Sequence, residues 1–426
     1  MLNRSQVPDI TSPIDFKLNL NPYTFFTLDN GIPVYAIEAG EQEVMALELV
    51  FDAGNWFEDK NIIAASTNFL IKNGTTSKTA FEINDHFDFY GAFLNRACYN
   101  ETATITLHTL SKNFHHLTPV ITELLTDCTF PESEIDIYKQ NQKQRLEVNL
   151  KKCDFVANRL IDESLYGFSH PYGRYTSTLD YDAVDKESVV KFYKQYYQNG
   201  SCKIFIAGKL PSDYKNILNK AFGALDLNVE ISQTNTIVPV SGLEKKLCII
   251  NDTNGVQAAV RIARPFPNKH HPDFLKTLIL NTVYGGFFGS RLMSNIREDK
   301  GYTYGINSYL QNYIHNSGWM ISTECGRDVY EATIVEVYAE MNKLQNELIP
   351  KEELDLVRNY MIGSILGDLD GPFQIINRWK SYILNGLTID YFNTAIHTIK
   401  TVSSEELQVL AKKYLNPDEF YELVVI

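Results

Sequence analysis

The sequence predicts an α+β protein built from two tandem copies of one unit, and three observations support this prediction. Landmarks in the first half recur in the second half at a nearly constant spacing. Short runs with the alternation typical of strands open and close each half. The segments between those runs carry apolar residues at helical spacing. Strands joined partly by turns and partly by helices are typical of a mainly antiparallel sheet with helices packed on one face.

The recurrence is clearest at two pairs of helices. Pro131 opens a segment that resembles the one opened by Pro350, so the spacing is 350 − 131 = 219 residues. Tyr196 and Tyr414 close two further similar helices, and their spacing is 414 − 196 = 218 residues. Two landmarks at nearly one spacing indicate a duplicated domain.

The duplication predicts two domains and a linker. The first domain is expected to span residues 1–228 and the second residues 245–426, because each half then closes on a strand-like run. The intervening stretch, 229–244, begins with a run of polar residues and is the natural linker.

Composition and charge exclude several classes of function. The net charge is −13, from 39 basic and 52 acidic residues, so the basic surface that nucleic-acid binding requires is missing. Residues 1–10 contain one basic residue and no apolar run of signal-peptide length, and no later segment reaches membrane-spanning length without charges. We therefore expect a cytoplasmic protein that binds neither nucleic acid nor membranes.

Histidine and cysteine spacing argues against a metal cofactor in this chain. A helical zinc site normally needs two ligands three or four residues apart, and none of the nine histidines has such a partner. The six cysteines are scattered without a close pair, which is typical of reduced, buried thiols. Nucleophile-elbow, P-loop and dinucleotide-binding motifs are also missing from the sequence.

One stretch of the second half invites a functional interpretation. Ser290 is a candidate N-cap of a helix that Gly301 would end, which places Arg297 in the last turn. Tyr302 and Tyr304 follow on an extended segment and share one face, so one phenol could lie near the guanidinium. Such a pair suits the binding of a peptide carbonyl and the stabilisation of an oxyanion. The structural alternative is an arginine that offsets the helix dipole and tyrosines that pack on a strand.

With these segments in view, the chain resembles the insulinase or pitrilysin family of zinc peptidases. The similarity extends over nearly the whole chain and is closest to the branch of two-subunit bacterial enzymes and the mitochondrial processing peptidase. It is most specific at residues 72–76, 170–174 and 290–304. The resemblance implies a clamshell-like duplicated α+β fold. It also implies that Arg297 and Tyr304, seven residues apart, contact the substrate carbonyl, which favours Tyr304 over Tyr302.

The metal motif of that family is degenerate in this chain. An inverted His-x-x-Glu-His helix should lie just before a Gly-Thr turn, where this chain has Ala65 and Phe69 at the two ligand positions. Neither side chain has a donor atom, and Asn68 replaces the glutamate that would activate water. The third ligand maps near Asn149, with Glu147 close by. The resemblance therefore implies that this chain binds no zinc itself.

The resemblance implies a division of labour between two chains. This chain would be the non-catalytic subunit of a heterodimeric zinc metallopeptidase, inactive alone, with zinc and general base supplied by a homologous partner subunit. It would close the chamber and contribute Arg297 and Tyr304 to peptide substrates, which add as a strand to a sheet edge. The alternative is a structural or peptide-binding scaffold with no role in proteolysis. A homodimeric enzyme that uses another metal has the least support.

Overall fold

The described part of the chain forms two compact units. The computed structural model describes residues 12–227 and 237–426, so residues 1–10 and the first part of the expected linker, 229–236, lie outside it. One unit consists of Pro22–Asn254, Gly371–Ser381 and Leu423–Ile426. The other consists of residues up to Asn21, Gly255–Asp370 and Tyr382–Glu422.

A six-stranded sheet organises the first half of the chain. Its strand order is β1-β2-β6-β3-β5-β4, and every neighbouring pair is antiparallel except β2 with β6. The strands are β1 (Thr24–Thr27), β2 (Pro33–Glu38), β3 (Val44–Phe51), β4 (Phe93–Cys98), β5 (Ala103–Leu110) and β6 (Cys202–Gly208).

Among the described residues, the first half also contains eight α-helices. Apolar side chains of the sheet and of these helices form a common hydrophobic core. The helices are α1 (Ile63–Leu70), α2 (Ala80–Phe89), α3 (Phe114–Thr126), α4 (Glu132–Asn149), α5 (Cys153–Tyr166), α6 (Thr178–Asp182), α7 (Lys186–Tyr193) and α8 (Tyr214–Phe222). A π-helical segment, Lys194–Gln198, extends α7.

A five-stranded sheet organises the second half, with the order β7-β11-β8-β10-β9. Its strands are β7 (Lys246–Ile249), β8 (Gln257–Phe266), β9 (Thr303–Leu310), β10 (Ser317–Gly326) and β11 (Tyr421–Val425). The helices are α9 (Phe274–Gly285), α10 (Tyr330–Asn346), α11 (Lys351–Gly367), α12 (Pro372–Leu384), α13 (Ile389–Thr401) and α14 (Ser404–Tyr414). A π-helical segment, Met293–Asp299, precedes β9.

The two sheets share one topology, which confirms the predicted α+β fold with mainly antiparallel sheets. In the order above, β7, β11, β8, β10 and β9 take the places of β2, β6, β3, β5 and β4. The helix pairs agree as well, because Pro131 and Pro350 each hold the N-cap position of α4 and α11 with nearly the same extended backbone. The equivalent strands β4 and β9 each form one edge of their sheet.

Two further observations concern thiols and membranes. None of the six cysteines forms a disulfide, but the expectation that they are buried holds only for Cys202 and Cys325, and Cys248 is exposed. Among the described residues, no helix combines the length and the apolar character that crossing a membrane requires.

Candidate functional site

The predicted metal positions of α1 are split between the two faces of that helix. Ala65 and Phe69, one turn apart, both point to solvent. Asn68 is buried instead, and its side-chain amide donates hydrogen bonds to the Thr104 carbonyl (3.3 Å) and the Tyr197 hydroxyl (3.1 Å). The outward face of α1 therefore presents a methyl group and an aromatic ring, neither of which can bind a metal ion.

Two of the four degenerate metal-site positions, Phe69 and Asn149, lie together at one cavity. Phe69 and Asn149, at the end of α4, both line a depression of about 510 Å³. The Asn149 side-chain oxygen Oδ1 accepts a hydrogen bond from the Lys152 ammonium (3.0 Å). In the described part of the chain, no group of three or more His, Cys, Asp or Glu residues could hold a metal ion. The residues present here do not fit zinc.

A buried carboxylate anchors the start of α1. Glu58 accepts hydrogen bonds from the backbone N–H groups of Ile62 (3.1 Å) and Ala64 (3.0 Å). Arg174 forms an ion pair with the same carboxylate at 3.0 Å. Burial raises the pKa of Glu58 to about 7, although both N–H groups and the Arg174 charge favour the carboxylate. Arg174 lies in one of the family-like segments and could be singled out from the sequence, whereas no sequence motif marks Glu58.

Polar contacts on both sides fix the helical segment that carries Arg297. Arg291 makes a bidentate ion pair with Glu353, with both distances at 2.8 Å. The Asn295 side-chain amide donates to Glu336 (3.0 Å) and Glu340 (2.7 Å). These contacts attach the segment to α10 and α11, while Met293 and Ile296 are buried beneath it. A π-helix here is consistent with a functional role, since such segments are frequent at functional sites.

The predicted ends of this helical segment are half right. Gly301 follows it with a φ of +67°, the left-handed conformation that ends helices. Ser290 directly precedes the helical turns, as predicted, and its carbonyl accepts from the Ser294 N–H (2.9 Å), but its buried hydroxyl has no hydrogen-bond partner and makes no side-chain cap.

A β-bulge at the start of β9 orients Tyr304. The pairing of β9 with β10 is regular up to Ile306 opposite Thr323 and then shifts. Two hydroxyls fix the irregularity, because Thr323 donates to the Gly305 carbonyl (2.9 Å) and contacts the Thr303 hydroxyl at 2.9 Å. The Tyr304 side chain is fully exposed as a result. Bulges commonly turn a side chain toward a binding site.

Arg297 and Tyr304 line the same cavity, which has a volume of about 710 Å³. The Arg297 guanidinium lies 4.6 Å from the Phe288 ring centroid, and its nearest carboxylate contact in the described residues is Glu298 at 4.0 Å. The cation is therefore oriented by an aromatic face and only weakly neutralised. Tyr302 also lines the cavity but is partly buried. Phe288 lies in the glycine-rich stretch 285–289, and no motif in the sequence marks it as part of this site.

Removing one hydroxyl of the bulge tests how firmly it holds Tyr304. We expect Thr323→Val to lower the free energy of unfolding by about 1–2 kcal/mol, because the partly buried Gly305 carbonyl and the Thr303 hydroxyl each lose a hydrogen-bond contact. The matched control is Thr401→Val, which removes a hydroxyl bonded to the preceding turn of exposed α13. That change should stay within about 0.5 kcal/mol. Equal urea midpoints for both variants would contradict the assigned role of Thr323.

Comparison with known proteins supports the predicted family resemblance. Residues 183–361 match the family model described as the peptidase M16 inactive domain. A Bacillus subtilis protein described as an uncharacterized zinc protease, YmxG, is 23% identical over 415 residues, covering 94% of this chain and 97% of that protein. These matches confirm the predicted resemblance to the zinc peptidase family, and residues 183–361 correspond to the M16 domain described as inactive.

A second relative and a solved structure extend the similarity. A Helicobacter pylori protein described as non-peptidase homolog YmxG is 21% identical over 379 residues, covering 86% of this chain and 85% of that protein. A crystal structure described as a peptidase M16 inactive domain from Pseudomonas fluorescens superposes with a TM-score of 0.84 at 22% identity. The match covers 95% of this chain and 98% of that one, which confirms the fold.

Proposed function

We propose that this protein is the non-catalytic subunit of a heterodimeric zinc metallopeptidase. A homologous, zinc-bearing M16 subunit carries out hydrolysis, and this chain closes the chamber around the peptide. Arg297 and Tyr304 bind the peptide and stabilise the oxyanion that forms at its scissile carbonyl. The expected cytoplasmic location stays a prediction.

The shared cavity of Arg297 and Tyr304 is the observation that carries this proposal. A guanidinium and a phenol open onto the same space of about 710 Å³, and the guanidinium has no close bidentate carboxylate among the described residues. Arg291, six residues earlier, is by contrast fully engaged by Glu353. A purely structural arginine would be expected to resemble Arg291, whereas a ligand-binding arginine must keep donors available.

The chemistry follows from donors that are in place before the substrate arrives. The guanidinium offers N–H groups in a fixed plane, and the Phe288 ring beneath it limits its orientations. The Tyr304 hydroxyl can donate to the same carbonyl oxygen. Both hydrogen bonds strengthen as negative charge develops on that oxygen, so they favour the transition state over the bound substrate. Enclosure by the partner subunit would exclude water and strengthen them further.

The alternative is a scaffold that binds peptides or other subunits without assisting proteolysis. The description of the Helicobacter pylori relative as a non-peptidase homolog favours this alternative. The two functions differ in one measurable respect, because only an assisting subunit changes the turnover of a zinc-bearing partner.

Activity and zinc content of the purified chain test the proposal. We expect the chain alone to hold much less than one zinc ion per molecule and to leave peptides uncut, because the outward face of α1 has no ligand atom. Mixed with the zinc-bearing M16 subunit of the same organism, it should produce chelator-sensitive cleavage that exceeds the activity of the partner alone. Full zinc occupancy with cleavage by the isolated chain would refute the proposal, and an unchanged partner rate would favour the scaffold.

A further inference from the structure

The cavity beside Phe69 has a charge opposite to that of the whole protein. The chain carries a net charge of −13, yet none of the described residues that line this cavity is acidic. Its wall on α4 consists of Arg145, Val148 and four carboxamide side chains, which belong to Asn141, Gln142, Gln144 and Asn149. Arg145 lies four residues from both Asn141 and Asn149, and Gln144 lies four residues from Val148, so these positions share one side of the helix.

One further cation, Arg96, lies close to Phe69, and another, Lys72, follows the end of α1. The Arg96 guanidinium sits 5.0 Å from the Phe69 ring centroid and donates a hydrogen bond to the Phe69 carbonyl. No ion pair joins Arg96 to a carboxylate within residues 12–227 and 237–426. Burial and the charge of Arg96 together lower the pKa of Lys72, and Asp88 offsets only part of this effect. The positive charge at this end of α1 is therefore incompletely neutralised.

The adjacent sheet edge has free backbone groups. Tyr99 N–H donates to the Thr102 carbonyl in the β4–β5 hairpin, so hydrogen-bonded and non-hydrogen-bonded pairs alternate from there. Leu94 and Arg96 fall in non-hydrogen-bonded pairs, and their N–H and C=O groups point to the outer edge of β4. We find no partner for these backbone groups among the described residues. An extended peptide could pair with them.

The equivalent edge of the second sheet is closed. On β9, the Ile306 N–H donates to the Met293 sulfur (3.4 Å), and the Ser308 carbonyl accepts from the Asn281 amide (3.0 Å). The β9 strand therefore lacks the continuous row of free groups that strand addition requires. Of the two topologically equivalent edges, β4 is the one available for a peptide.

We propose that the cavity between α1 and α4 binds the carboxylate of an extended peptide that lies along β4. This inference rests on the proposed role in peptide binding and names the chemistry of one subsite. Arg145 binds the carboxylate, while the four carboxamides, each both donor and acceptor, pair with peptide groups. Phe69 provides an apolar floor, so the position that would hold a metal ligand instead contacts substrate. The carboxylate is either the peptide C-terminus or an acidic side chain.

Fluorescence anisotropy with three labelled peptides of otherwise identical neutral sequence tests this subsite on the isolated chain. One peptide has a free C-terminal carboxylate, one is amidated and contains an internal glutamate, and one is amidated without an acid. We expect at least one acidic peptide to bind about tenfold more tightly than the neutral peptide, with the preference falling as salt rises. The tighter of the two acidic peptides identifies the source of the carboxylate.

Two variants with the same change in net charge separate a specific site from general attraction. Arg145→Gln should abolish the preference for the acidic peptide, whereas Lys151→Gln, an exposed position outside the cavity lining, should preserve it. Equal effects of both variants, no preference for acid, or no binding at millimolar peptide would overturn the inference. Arg297→Ala should leave the preference intact while it lowers turnover of the heterodimer, so the two proposals fail separately.

Discussion

In the complex with a zinc-bearing subunit, Arg297→Ala or Tyr304→Phe is expected to lower kcat by about 100-fold, as the loss of one oxyanion donor does in other enzymes. Each change removes hydrogen-bond donors that open onto the shared cavity. The Michaelis constant should change much less than kcat, because these donors interact most strongly with the charge that develops in the transition state.

Tyr309→Phe is the matched control for this experiment. Tyr309 lies on the same strand as Tyr304, is 41% exposed and does not line the cavity. Its phenol should therefore be dispensable for turnover. Normal rates from both Arg297→Ala and Tyr304→Phe would favour the scaffold alternative, whereas an equal loss from Tyr309→Phe would point to a general disturbance of β9.

The second large effect concerns stability and its dependence on pH. Burial raises the pKa of Glu58 from 4.5 to about 7, so between these values the folded protein holds a proton that the unfolded chain has released. The free energy of unfolding should therefore fall as pH rises from 5 to 8, by up to about 3 kcal/mol from this group. Glu58→Gln removes the titration, and the difference in unfolding free energy between wild type and variant isolates it.

Urea denaturation at several pH values, followed by tryptophan fluorescence, measures this difference. Trp56 packs against the His170 ring (5.5 Å) and the Tyr172 ring (5.3 Å), close to the buried carboxylate in sequence and structure. Relative to Glu58→Gln, the wild type should become progressively less stable between pH 5 and 8. A difference that stays constant would show that Arg174 and the α1 N–H groups keep Glu58 ionised throughout.

The fold could be predicted because the sequence contains the same pattern of helices and strands twice. The helix starts at Pro131 and Pro350 gave the spacing of the duplication, and the strand orders of the two sheets agree with it. Local signals of this kind depend only on neighbouring residues. The closure of β9 by Asn281 and Met293, which leaves β4 as the open edge, depends on contacts between elements and could not be foreseen.

The candidate site was predicted in part. The seven-residue spacing placed Arg297 and Tyr304 at the end of one helical segment and the start of one strand, and the structure places both at one cavity. The bulge that exposes Tyr304 was not predictable, since it depends on the Thr323 hydroxyl from another strand. The inward orientation of Asn68, toward the Tyr197 hydroxyl, likewise depends on a residue 129 positions away.

Photocrosslinking from position 304 tests most directly whether this chain contacts substrate beside the zinc of its partner. Tyr304 is replaced by photoreactive p-benzoylphenylalanine, zinc is removed from the assembled pair with a chelator so that the peptide survives, and crosslinked products are mapped by mass spectrometry. The account predicts that a substrate peptide crosslinks to position 304 in the pair, and far less to the same group placed at position 309. Equal crosslinking at both positions, or none at 304, would contradict it.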